Sequence, residues 1–122
     1  MTSAELAKKL HAAHFNASEF KQLTLATDEQ LAELKPQDGE LCHELAERWV
    51  GVHPQHRVVR GFLVINECCF HKHSVVDTGS RLLDVTPRNP NEASPPLRFI
   101  VCDGVSRAVF GEWLNQVILL NG

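Results

Sequence analysis

Cys42, His73 and Asp84 have the residue types and the order that thiol chemistry needs. Cys42 lies in GELCHELAERWV, where Leu41, Leu45, Ala46 and Trp49 recur at helical spacing. A cysteine in the first turn of a helix meets free backbone N–H groups and the positive end of the helix dipole, both of which favour the thiolate. His73 and Asp84 lie on either side of Thr78-Gly79 in FHKHSVVDTGSRLLDVTP. If those two residues form a hairpin loop, Asp77 faces Ser80 and His73 faces Asp84, with Cβ atoms about 4.5–5.5 Å apart. A carboxylate on one imidazole nitrogen fixes the tautomer and supports the imidazolium, leaving the other nitrogen to act as a base. Nucleophile, base and orienting acid are the set that attack on an acyl carbon requires. The Cys42 backbone N–H is one candidate oxyanion donor, and the Gln37 side chain, just upstream, is a second.

Other readings compete for these residues. Cys42 shares a helical face with Leu45, Ala46 and Trp49, as a buried structural cysteine would. His73 and Asp84 can equally bridge two strands without catalysis. On that reading the chain is a catalytically inactive binding or interaction module. Cys69, His71 and His73 share one strand face, and histidines at i and i+2 can hold zinc, so a small zinc-binding protein is a further alternative. No Cys-x-x-Cys spacing accompanies them. His43 points about 100° around the helix from Cys42 and is assigned to solvent. Trp49, Phe110, Trp113 and Cys102 are assigned to the core, and Glu40, Glu44 and Glu47 to a solvated helix face.

These residues need elements to position them. Residues 1–37 read as helical, with capping boxes at Thr2/Glu5 and Thr27/Gln30 and a stop at Pro36. A further helix starts near Asp38 or Gly39 and ends near Gly51 to Pro54. The period then changes. Residues 57–66, 70–77, 81–86 and 97–102 read as strands, and residues 88–96 as a proline-rich loop. Residues 106–119 read as a last helix. Helices followed by a hairpin-built sheet indicate an α+β fold.

The chain has 122 residues, 43% hydrophobic and 22% charged, with a formal charge of −3. This suits a single soluble domain over 1–122, divided into a helical part (1–37), a core (38–87), and a strand and helix (88–122). No basic stripe points to nucleic acid. No signal-like start or long apolar run points to export or to a membrane. A cytoplasmic protein with reduced cysteines is expected, and no cofactor is implied.

Three stretches resemble the transglutaminase-like branch of the papain-like cysteine superfamily. GELCHELAERWV is similar to the family's nucleophile helix. PQHRVVRGFL is similar to its segment in which Arg-Val-Val precedes Gly and an aromatic residue. HSVVDTGSRLLDVTP is similar to its His-led strand, Gly turn and closing Asp-x-Thr. The resemblance covers residues 39–87. It implies a papain-like, transglutaminase-type core, with the nucleophile helix packed on an antiparallel sheet. It also implies a Cys42-His73-Asp84 triad that performs acyl transfer or hydrolysis on a peptide, amide or small-molecule acyl substrate.

Overall fold

A computed structural model describes residues 5, 8, 20–36, 41–65, 69–87, 97–102, 107–113 and 116–118. Thr2, Gln37, Gly39 and Cys68 lie outside these residues. The elements run β1 (Phe20–Leu25), α1 (Asp28–Leu34), α2 (Cys42–Val52), β2 (Arg57–Val64), β3 (Cys69–Asp77), β4 (Leu82–Asp84), β5 (Arg98–Val101), α3 (Arg107–Glu112) and β6 (Gln116–Ile118).

The strands are ordered β2-β5-β1-β4-β3, and β3 pairs back onto β2, so five strands close into a barrel. The expected papain-like core, a helix packed on an antiparallel sheet, is therefore not the fold. The closed barrel leaves only three short helices among the described residues. Closure depends on β1, in a stretch read as helical. FKQLTL places Leu23 and Leu25 on one face at the two-residue period of a strand. β1 pairs in parallel with β4 and antiparallel with β5. Residues 116–118, expected to end a helix, instead add a sixth strand to β3.

β3 is laddered to β2 without interruption from Phe70 to Asp77. Its other edge is shared. Among the described residues β6 reaches only to His71, and β4 begins only at Val76.

Leu23, Val59, Leu63, Val75 and Phe99 fill the barrel interior. Alternation along the strands sends Val76 and Leu83 outward, against Leu34 of α1 and Leu45, Ala46 and Trp49 of α2. Phe62, Phe70 and Ile100 face outward against Phe110 and Trp113 at α3. Each large apolar side chain removed from water contributes about 1.5–3 kcal/mol. The Thr27–Gln30 capping box forms as read from the sequence. Lys35, left-handed at φ 53°, ends α1 ahead of Pro36. Arg48 of α2 donates to the α1 end carbonyls of Leu34 and Lys35, which ties the two helices together.

Candidate active site

Cys42 is the first residue of α2. Leu41 before it is extended (φ −83°, ψ 157°) and offers no side-chain cap. The first helical bond runs from Leu45 N–H to the Leu41 carbonyl, so first-turn N–H groups beside Cys42 have no partner within the helix. Leu45, Ala46 and Trp49 press the helix onto the barrel, and this fixes where its first turn lies.

His73 stands in the middle of β3, paired with Gly61 of β2. Glycine is required there. A Cβ at position 61 would overlap the Ile100 carbonyl and meet Phe99 Cζ at 2.8 Å. The His73 ring sits edge-on to Phe99, with centroids 6.4 Å apart.

Asp84 ends β4. Its register differs from the one expected. The turn is at Gly79-Ser80, one residue later than Thr78-Gly79: Thr78 N–H donates to the Arg81 carbonyl, and Gly79 takes φ 96°. A positive φ at the first central residue is a hairpin-turn geometry that glycine supplies at least cost. Leu83 consequently pairs with Val76, which places Asp84 level with Val75, two residues from His73. A shift of two preserves the face. His73 and Asp84 are diagonal neighbours, and His73 Nε2 lies 3.2 Å from Asp84 Oδ1. The contact is a close ion pair rather than a well-directed hydrogen bond, because Nε2 has no partner of hydrogen-bond geometry. Thr86 N–H donates to the same Oδ1 at 3.1 Å.

The thiol completes the group. Burial pushes Cys42 upward, but hydrogen bonds from His43 and His73, and the positive charge near the sulfur, outweigh it and hold the thiol at about 6. Burial pushes His73 downward. The Asp84 carboxylate and the Cys42 sulfur outweigh that and raise it to about 10. The preferred state near neutral pH is a thiolate beside an imidazolium.

The other assignments divide. Gln37 lies outside the described residues. Cys69 and His71 each contact Gln116 Nε2, at 3.2 and 3.1 Å, while His73 is taken by Asp84 and Cys42. No group of three metal-ligating side chains forms among the described residues. Cys102, Trp49, Phe110 and Trp113 are buried in the core.

Three residues of α2 and β3 to which the sequence gives no role, or a place in solvent, have defined partners. His43 is half-buried, not solvated: its Nδ1 makes a short hydrogen bond with Ser74 Oγ, and its ring is edge-on to Phe110 at 5.2 Å. Ser74 is fully buried. Its position in a strand of valines was the available signal, since a buried hydroxyl must find a partner. Lys72 donates to the Phe110 and Trp113 carbonyls at 3.1 Å each, and burial lowers its pKa while the Cys42 charge partly restores it. A cavity of about 110 Å³ opens here, lined by His43, Glu47, Arg60, Lys72, Ser74 and Phe110 among others.

Neither a family model, nor a curated protein, nor a solved structure matches this chain. The likeness to transglutaminase-like enzymes rests on the motifs of residues 39–87. No helix among the described residues is long and apolar enough to cross a membrane.

Proposed function

We propose that the protein is a thiol-dependent acyl-transfer enzyme or hydrolase acting through Cys42, His73 and Asp84. The observation that carries this reading is the continuous chain of contacts from Asp84 through the buried His73 ring to the Cys42 sulfur. In the first step the thiolate attacks the carbonyl carbon and a C–S bond forms. The tetrahedral species collapses, the bond to the leaving nitrogen or oxygen breaks, and the His73 imidazolium gives that atom its proton. In the second step water or an amine attacks the thioester. His73 takes the attacker's proton, and the thiolate departs. Asp84 holds the ring and supports its charge throughout. The substrate is a peptide, amide or small-molecule acyl compound, and the chemistry uses no cofactor.

An activated ester tests the reading. With p-nitrophenyl acetate at neutral pH, mass spectrometry is expected to find the acetyl group on Cys42, with its release quickened by water or amines. His73→Ala should suppress both acylation and release. Label spread evenly over Cys42, Cys68, Cys69 and Cys102, and unaffected by His73→Ala, would refute it.

A further inference from the structure

His73 and His43 both hydrogen-bond the Cys42 thiol, and the triad uses only His73. The second, His43, is not a loose surface ring. Its Nδ1 is bonded to Ser74 Oγ, and its edge rests on Phe110. Ser74 is the residue after His73 on β3 and has 0% exposure. Neighbouring residues of a strand point to opposite faces, so β3 presents the His73 imidazole on one face and, on the other, the hydroxyl that holds His43.

Burial of Ser74 favours one direction for its bond to His43. A hydroxyl carries one proton and can also accept. If His43 donated to Ser74, the fully buried hydroxyl would have to place its own proton on another acceptor. With Ser74 donating to Nδ1, both groups are satisfied. With Nδ1 taken by Ser74, Nε2–H is the ring's donor for the Cys42 sulfur.

We propose that His43, oriented by the Ser74 hydroxyl, is a second hydrogen-bond donor to the Cys42 thiolate, acting independently of the His73–Asp84 pair. The inference rests on reading Cys42 as the nucleophile. It divides the labour at the sulfur. His73 exchanges protons with the reacting groups. His43 moves no proton: it holds the thiolate in place and lowers its basicity. The hydrogen bond from His43 accordingly stands among the causes that bring the Cys42 thiol below its ordinary value. His43 also lines a cavity together with Ser74, Lys72 and Phe110.

The test follows thiolate formation without any acyl substrate. Ultraviolet absorbance of the thiolate, and the iodoacetamide alkylation rate of Cys42 read by mass spectrometry, are measured from pH 4 to 10. The variants are His43→Leu, His43→Gln, Ser74→Ala and His73→Ala, with far-ultraviolet circular dichroism to establish folding. His43→Leu and Ser74→Ala should move the Cys42 midpoint upward by about one unit, a roughly tenfold loss of thiolate below the midpoint. His43→Gln, which keeps a donor, should recover part of the shift. Folded His43→Leu and Ser74→Ala proteins that titrate like the unsubstituted chain, while His73→Ala shifts, would overturn the inference and leave the acyl-transfer reading standing. Shifts in His43→Leu and Ser74→Ala, with no acetyl-Cys42 formed from the ester, would sustain the inference and remove that reading.

Discussion

Asp84 reaches His73 diagonally across the β3–β4 ladder. Its backbone lies level with Val75, and its carboxylate extends back two residues to within 3.2 Å of His73 Nε2. Its other links are backbone ones: the strand pairs Asp84 with Leu25 of β1, the Asp84 carbonyl accepts from Ala26 N–H at 2.9 Å, and Thr86 N–H binds the carboxylate. The acid is thus fixed by the barrel seam as much as by the histidine.

Removing the Asp84 charge should separate chemistry from stability. Asp84→Asn keeps the shape and loses the ion pair, and acylation of Cys42 by an activated ester should fall by about 10²–10⁴-fold. Asp84→Ala also leaves buried His73 and the Thr86 N–H without their partner. Urea unfolding should then show a loss of about 1–3 kcal/mol. An Asp84→Asn protein with unchanged acylation would assign the pair to structure alone.

The pH profile follows from the signs of the two shifts. Cys42 is lowered to about 6, so the thiolate is present above that value and lost as the pH falls through it. His73 is raised to about 10, so the imidazolium is present below that value and lost above it. The reactive pair exists between the two. Ester acylation measured as second-order rate against pH should therefore rise near 6, stay level, and decline near 10. A single rise near the ordinary thiol value of 9.0 would contradict the pairing.

Gly61 should tolerate no side chain. A Cβ would run into the Ile100 carbonyl at the β2–β5 seam, and backbone is harder to displace than a flexible side chain. Gly61→Ala should destabilise the fold by about 1–3 kcal/mol or more, read from the urea midpoint at constant slope. Because Gly61 pairs with His73, the same variant should slow Cys42 alkylation at pH 7. Gly51→Ala, where nothing lies within 4 Å of the added carbon, serves as the control.

The local signals in this sequence were readable. The Thr27–Gln30 cap, the apolar face of α2 and the valine-rich strands all correspond to formed elements, because each depends on residues close in sequence. The barrel was not readable. It needs β1 to pair in parallel with β4 across almost sixty residues, and a parallel pairing leaves no turn motif behind. Phe20–Leu25 is also short enough for its two-residue period to pass as part of a helix. The His73–Asp84 contact survived a misplaced turn because moving the register by two keeps the face. The His43–Ser74 bond had no such protection. It depends on how α2 is rotated over β3, which packing decides after the elements exist.

The two edges of β3 lead unequal lives. One is a continuous rail along β2. The other passes from β6 to β4, and the stretch from Lys72 to Val75 falls between them among the described residues. His73 and Ser74 are in that stretch. Among the described residues the barrel wall therefore has a window at the height of the reacting groups, where β2 alone is paired to β3. Amides of β3 bonded to β2 should resist exchange with solvent longer than those facing the window, so the side of the strand nearest the chemistry is also its less restrained side.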